Sequence, residues 1–265
     1  MIISSRKNPA VSFYRELNRE RKTRERERLF TVEGVKLCTE ALRAGLTITS
    51  AMVTETAAKK YPDAFGEISA EFEPVIITDD IGAYISDTKT PQGFFFVAEM
   101  PGAHEKICGN GRYIILDGLQ DSGNIGTIIR TCDALGTEGL ILSPDCADVY
   151  SPKVVRSAMG SLFRLPFEVT ELVPRIAEMR ENGTAVFAAM PDSSARSIDE
   201  VTLPESCAVI IGNEGNGVSE EVLNAADGNI YIPISGAESL NAAVAAAIFC
   251  NEMRKTNTTE VNGRY

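Results

Sequence analysis

Apolar residues recur along this chain in two rhythms, a helical spacing and short unbroken runs, which alternate from one end nearly to the other. Residues 9–28 have helix-forming composition, with Pro9 suited to a first turn and Asn8 to a cap, so a single basic helix is predicted to open the chain. "LFTV" reads as a strand. In "EGVKLCTEALRAG", Leu37, Ala41, Leu42 and Ala44 keep helical spacing and Gly45 supplies the stop. "ITSAMVT", a helical stretch to about Ala70, "PVIIT", "DDIGAYISD" and "GFFFVAEM" complete a compact α/β domain spanning residues 1–100.

No apolar period crosses "PGAHEKICGNG", and its proline, glycines and polar residues predict a linker over 101–111. Beyond it come strand "YIILDGL", a helix from about Gly126 to Leu135, strand "GLILS", helix "PKVVRSAMG", strand "PFEVT" and a helix over 171–181. Strands "AVFAAM" and "CAVIIG", helix "SEEVLNAA", strand "IYIPI" and a helix over 239–255 follow. Near-continuous apolar strands separated by helices predict a mainly parallel sheet covered on both faces. The second domain is therefore expected over 112–256, with a frayed tail at 257–265. A chain starting near Gly109 is expected to keep whatever pocket this domain holds.

Composition narrows the chemistry. Apolar residues at 44% and charged residues at 24% are ordinary globular values for a chain of 265 residues. No run approaches the roughly 20 apolar residues of a membrane helix, and "MIISSRKNPAVSFYREL" has no signal core, so a cytoplasmic protein without membrane contact is expected. Cys38, Cys108, Cys132, Cys146, Cys207 and Cys250 are scattered without a C-x-x-C pair and read as reduced core residues, with no metal site expected. The single histidine, His104, falls in the linker, which removes Ser-His-Asp, Cys-His and most histidine–metal chemistries.

The net charge of −11 argues against a nucleic-acid partner until its distribution is considered. Residues 1–28 hold nine Lys or Arg against four Glu, a net +5, which leaves −16 on the rest of the chain. A basic arm on an acidic body is one reading of this asymmetry; a solvated helix with internal ion pairs is the other.

Three strands of the second domain end in polar, glycine-containing loops: "DSGNIGTIIRTCDALG", "GNEGNGVSEE" and "PISGAESLNAAVAAAI". In a parallel α/β sheet ligands bind outside the carboxyl ends of strands, so these loops are candidates for one cleft. The glycine loop lacks the Lys-Ser/Thr of a P-loop, and its G-x-x-G-x-G spacing is not the dinucleotide fingerprint. Taken singly, Asn124 and Gly126 read equally as helix-entry residues, Arg130 as a solvated side chain, and Ser239 as an ordinary N-cap.

Together, "NIGTIIRT", "IIGNEGNGVS" and "IPISGAESLNAAVAAAI", in this order and spacing, resemble the three motifs of the SpoU (TrmH-like) class of SPOUT methyltransferases. The opening "SSRKNPAVSFYRELNRERKTRERERLFTVEG" is similar to the substrate-binding domain of the same class, and the resemblance covers residues 3–255. It implies transfer of a methyl group from S-adenosylmethionine to an RNA ribose 2′-hydroxyl. It also implies a homodimer and a C-terminal α/β trefoil-knot domain, a topology no periodicity reveals. By resemblance Gly212, Gly217, Ile232, Pro233 and Leu240 hold the cofactor, the bare glycine at 212 letting the backbone approach the ligand, while Asn124, Arg130, Glu214, Ser239 and Asn241 take catalytic and orienting roles. The loop after Gly236 is one residue shorter than in many relatives, so contacts from Ser235 to Glu238 are not carried over.

A guanidinium stays protonated in proteins, so Arg130 is expected to grip a phosphate beside the target ribose rather than to act as a base. Arg6, Lys7, Arg15, Arg19, Lys153 and Arg156 are the expected RNA contacts. A separate N-terminal domain favours ribosomal RNA of the 23S type as substrate. The alternatives are a tRNA 2′-O-methyltransferase, a methyltransferase conferring resistance to a ribosome-binding antibiotic, a catalytically silent RNA-binding protein, and a small-molecule enzyme using a nucleotide.

Overall fold

The computed structural model describes residues 2–101, 107, 110–191, 195–236 and 238–255. His104, Cys108, most of the expected linker and the expected tail lie outside these residues. Two compact units divide the chain, one built from residues 1–102 and 148–163, the other from 103–147 and 164–265.

The first unit runs β1 (Ile2–Ile3), α1 (Pro9–Arg19), α2 (Arg21–Glu27), β2 (Leu29–Glu33), α3 (Val35–Arg43), β3 (Ile48–Thr54), α4 (Glu55–Lys60), α5 (Pro62–Glu71), β4 (Val75–Ile77), α6 (Asp79–Ile85) and β5 (Phe94–Glu99). Its mixed sheet has the order β1-β4-β3-β5-β2, with β5 antiparallel to both neighbours. Phe94, Phe95 and Phe96 are all buried along β5. Asn8 caps α1 through Ala10 N–H and Pro9 takes its first turn, as the sequence predicts. Val11, Tyr14 and Leu17 bury one face of that helix, the two aliphatic burials worth about 1.5–3 kcal/mol each.

The expected single helix over 9–28 is two. Glu20 is extended (φ −113°, ψ 112°), and α2 beyond it turns Arg24 inward, where the residue is 3% exposed and its guanidinium donates to Asp148 through Nε at 2.8 Å. Arg21 pairs with Glu25 and Arg26 with Glu27. The basic segment is therefore folded onto its sheet with much of its charge paired, not a free arm. The helical stretch to Ala70 is likewise divided, at Tyr61, because Pro62 starts a new helix.

The second unit runs β6 (Arg112–Leu116), α7 (Ser122–Leu135) and β7 (Gly139–Leu142) before the chain enters the first unit as α8 (Pro152–Ser157). It returns as β8 (Phe167–Val169), α9 (Leu172–Glu181), β9 (Ala185–Ala189), β10 (Arg196–Ser197), β11 (Cys207–Ile211), α10 (Glu220–Ala225), β12 (Gly228–Tyr231) and α11 (Ala242–Lys255). The sheet order is β10-β12-β9-β11-β6-β7-β8, and every pairing is parallel. Cys38, Cys132, Cys146, Cys207 and Cys250 are buried free thiols.

The sequence assigned 148–163 to the second domain, but this segment packs with the first. Val154, Val155, Ala158, Leu162 and Phe163 are buried there, Tyr150 and Phe163 lie against Phe30, and Arg156 pairs with Asp87 at 2.7 Å.

Candidate functional site

Adjacent parallel strands β6 and β11 are in register from Arg112↔Cys207 to Leu116↔Ile211, so their outgoing loops leave the same sheet edge side by side. Asp117 N–H donates to the Ile211 carbonyl at 2.9 Å, and Asp117 Oδ2 accepts from Ser219 N–H at 2.7 Å. Asn213 Nδ2 donates to the Gly118 carbonyl at 2.7 Å. The two loops are thereby tied at their roots.

The glycine loop closes on itself. Asn213 and Gly217 exchange backbone hydrogen bonds of 2.9 Å, and Asn213 Oδ1 accepts from the N–H groups of Gly215 and Asn216. Gly217 has φ +71°, a left-handed conformation that favours glycine. Gly212 is needed by the loop itself: a Cβ there would lie 2.1 Å from the Gly217 carbonyl carbon and 2.2 Å from Val218 N. The space is taken by the loop's own backbone, so glycine at 212 shapes the cradle before any ligand enters.

Three side chains, one from each loop, form a chain of hydrogen bonds. Asn241 Oδ1 accepts from the N–H groups of Ala243 and Val244 at 2.9 and 3.3 Å, capping α11. That fixes its amide, and Asn241 Nδ2 donates to Asn124 Oδ1 at 2.9 Å. Asn124 Nδ2 is then directed at Glu214 Oε1, 3.1 Å away. The polarity of the whole chain follows from the helix cap at one end and the carboxylate at the other.

Glu214 also accepts from Asp121 N–H at 3.0 Å and Gln120 N–H at 3.2 Å. Partial burial works against its ionised form, but the donors from Asp121, its own backbone, Asn124 and Gln120 outweigh this and hold its pKa below the ordinary carboxylate value. An anion already gripped by three donors is a weak base and a good anchor.

Beside this chain lies a cavity of about 560 Å³, lined by residues 189–191, 211–218, Ile232, Ile234, 239–242, Ala245 and Phe249. Its size falls within the range of small-molecule sites. Apolar residues alternate with amides and glycines in the lining, and Glu214 is its only charged side chain among the described residues. A phosphate would meet a carboxylate here, whereas a cationic sulfonium would not be repelled, and a nucleoside finds both apolar walls and amide groups to accept its hydrogen bonds. The cavity thus fits S-adenosylmethionine better than a nucleotide.

Of the residues expected from the sequence, Glu214, Ser239, Asn241, Gly212, Gly217, Ile232 and Leu240 line the cavity, while Pro233 does not, although Ile232 and Ile234 on either side of it do. Asn124 lies outside the lining and joins through Asn241. Arg130 is exposed on α7 and has no partner among the described residues. The start of α7 at Ser122, not Gly126, puts Asn124 inside its first turn, and Asp121 is the cap, accepting from the N–H groups of Gly123 and Asn124. Asp121, Gln120 and Asn213 were missed as site residues; an Asp three residues before Asn124 and an Asn after Gly212 are the turn and cap signals that could have found them. Asn241, not Ser239, caps α11.

The expected RNA contacts separate into groups. Lys7 and Arg19 are exposed without side-chain partners among the described residues. Arg6 pairs with Asp80, Arg15 lies over the Tyr84 ring, and Arg156 is spent on Asp87. Lys153 is exposed and itself engaged.

A parallel α/β sheet with a cofactor-sized cavity outside the carboxyl ends of its strands, in a chain with a second compact unit, is the architecture of a ligand-binding α/β enzyme. Residues 111–251 match the SpoU rRNA methylase family and residues 8–95 the MRM3-like substrate-binding domain. The chain is 34% identical to the 23S rRNA (guanosine(2553)-2′-O)-methyltransferase RlmP of Bacillus subtilis over 253 residues, covering 95% of this chain and 98% of that protein. The AdoMet-bound rRNA methyltransferase from Sinorhizobium meliloti superposes with a TM-score of 0.84 at 28% identity, over 97% of this chain and 98% of that one. AviRb from Streptomyces viridochromogenes, in complex with AdoMet, gives 0.85 at 27% identity, over 96% and 99%. The chain belongs to the SpoU rRNA methylase family. It is an S-adenosylmethionine-dependent RNA 2′-O-ribose methyltransferase.

Proposed function

We propose that the substrate is ribosomal RNA of the 23S type and that the hydrogen-bonded chain Asn241–Asn124–Glu214 orders the site in which one of its ribose 2′-hydroxyls is methylated. The observation that carries this reading is the hydrogen-bonded joining of the three loops beside a cavity that the second and third of them line, together with a likeness to RlmP over nearly the full chain.

When bound, S-adenosylmethionine supplies an activated methyl group; the protein must align an oxygen with it and manage one proton. Alignment alone can contribute on the order of 7–11 kcal/mol to such a displacement. Gly212, Gly217, Ile232 and Leu240 hold the cofactor, and Pro233 sets the turn between Ile232 and Ile234. The Ser239 hydroxyl, exposed at the cavity, and the Asn241 amide orient the 2′-hydroxyl. Arg130 grips the neighbouring phosphate, and the proton leaves late, to that phosphate or to water. Glu214 acts as an anchor, since its lone pairs are already engaged. Lys7, Arg15 and Arg19 supply RNA contacts from the first unit.

We also place the enzyme in the cytoplasm and read it as a homodimer with a trefoil knot in its second unit. Support for the dimer comes from the alanine-rich α11 and the exposed Val244 and Ile234, 48% and 36% accessible. For the locale, no described helix is long and apolar enough to cross a membrane. The discriminating experiment incubates the enzyme with labelled S-adenosylmethionine and, in parallel, purified 23S ribosomal RNA and bulk tRNA. Label in the ribosomal RNA alone is expected; label in tRNA alone would overturn the substrate assignment.

A further inference from the structure

The first unit carries a polar arrangement that neither the cavity nor the asparagine chain uses. Arg6, in the loop before α1, sets its guanidinium 4.6 Å from the centroid of the Tyr84 ring, and Arg15, on α1, sets its own at 3.9 Å. Arg15 Nη1 also donates to the Tyr84 hydroxyl. Arg6 meets both carboxylate oxygens of Asp80, with Nη2 at 2.9 and 3.0 Å and Nε at 3.3 Å. Tyr84 and Asp80 both belong to α6.

The ring is fixed while the ions are not. Tyr84 is half-buried and packs against the core formed by Val11, Tyr14, Ile81 and Phe95. Arg6 and Asp80 are 55% and 67% exposed, and an exposed ion pair contributes little to stability, so its carboxylate is easily exchanged. A guanidinium held bidentate on a carboxylate already has the fork geometry that a phosphate takes. Arg15 and Arg19 share one face of α1 at i,i+4 spacing, and exposed Lys7 follows Arg6 in the chain.

We propose that Arg6 and Arg15, oriented by Tyr84, form an RNA-phosphate contact on the first unit, and that Asp80 occupies the Arg6 fork in the free protein until an RNA phosphate displaces it. The ligand class rests on the RNA methyltransferase reading; the contact itself rests on the stack. Asp80 then acts as an internal competitor. It keeps the fork ordered and disfavours weak, non-specific polyanion binding.

The test measures binding of a fluorescently labelled 23S ribosomal RNA fragment by the full-length protein across a salt series, with cofactor titration and thermal melting as controls of folding. Arg6→Ala is expected to lower the slope of log affinity against log salt by about one. Tyr84→Ala should weaken binding about three- to tenfold, because both cations lose their ring, while Tyr84→Phe keeps the ring and most of the affinity. Asp80→Asn should tighten binding about two- to fivefold by removing the competitor. Unchanged affinity and salt slope in Arg6→Ala and Tyr84→Ala, with methylation intact, would overturn this contact alone. Weakened binding in Asp80→Asn would overturn the competitor role. No RNA binding by the unaltered protein would overturn the contact and the functional reading beneath it together.

Discussion

Replacing Asn124 by aspartate tests the hydrogen-bonded chain through its polarity. The substitution is isosteric, so the oxygen that accepts from Asn241 Nδ2 is retained. The amide nitrogen that donates to Glu214 Oε1 at 3.1 Å becomes a second carboxylate oxygen. Two like charges at that separation repel by about 1 kcal/mol at the dielectric of water and about 5 kcal/mol at an effective value of 20. Glu214 is largely exposed, so the lower part of this range applies, to which the lost charge-assisted hydrogen bond adds about 1.5–3 kcal/mol. A loss of about 2–4 kcal/mol corresponds to a fall of roughly thirtyfold to several hundredfold in single-turnover methylation at pH 8.

The same arithmetic predicts a rescue. Two carboxylates in contact share one proton at a pH where neither would hold it alone, and the shared proton restores a donor between positions 124 and 214. Single-turnover rates for Asn124→Asp should therefore recover, relative to the unaltered enzyme, as the pH is lowered from about 8 to about 5. Asn124→Ala has no such proton to gain and should stay flat across this range. The assay is rapid-quench methylation at saturating RNA and cofactor, for all three proteins at each pH. Matching pH profiles for the aspartate and alanine variants would refute the claim that the Asn124–Glu214 hydrogen bond orders the site.

Gly212→Ala should weaken S-adenosylmethionine binding at least tenfold and lower stability by about 1–3 kcal/mol, because its methyl group meets the backbone of residues 217–218; calorimetric titration and thermal melting measure the two effects. Glu214 has a pKa held below its unfolded value, so its stabilising contribution is full above the unfolded pKa and is lost as pH falls through the folded one; the melting temperature followed into the acid range should drop there, and Glu214→Gln should reduce that dependence. A chain cut between residues 101 and 111 should not behave as an intact half, since Val154, Val155, Leu162 and Phe163 would lose the first unit that buries them; a lower melting temperature or aggregation is expected, and unchanged stability in the shortened chain would contradict it.

Much of this architecture is legible in the pattern of the chain. The β6 and β11 runs are apolar at nearly every position because both faces of a central parallel strand are covered, and such runs are hard to mistake. The Asn8–Pro9 start of α1 announces itself through cap chemistry. Helix ends were less readable. Glu20 and Tyr61 interrupt stretches of uniform helical propensity, and only tertiary packing, which turns Arg24 toward Asp148, explains the first break. No local signal could have shown that 148–163 packs with the first unit, because its apolar positions suit either partner.

At the site, the motifs brought Asn124, Glu214, Ser239 and Asn241 into view, but not the order of their hydrogen bonds. That order depends on which residue caps each helix. The sequence offered Gly126 and Ser239 as entry points, whereas Asp121 and Asn241 take the caps and so decide where every amide points. The meaning of Gly212 was equally hidden, since a bare position needed by a ligand and one needed by a neighbouring loop look the same in a sequence.

The most direct measurement uses the full-length protein, total bacterial RNA and S-adenosylmethionine labelled on its methyl group, followed by nuclease digestion and mass spectrometry of the labelled nucleoside. The expected result is a single 2′-O-methylated ribose in large-subunit ribosomal RNA, formed by the unaltered enzyme and strongly reduced in Asn124→Asp at pH 8. Label on a base, or no transfer from a protein that binds both the cofactor and the RNA, would contradict a site built to align a ribose hydroxyl.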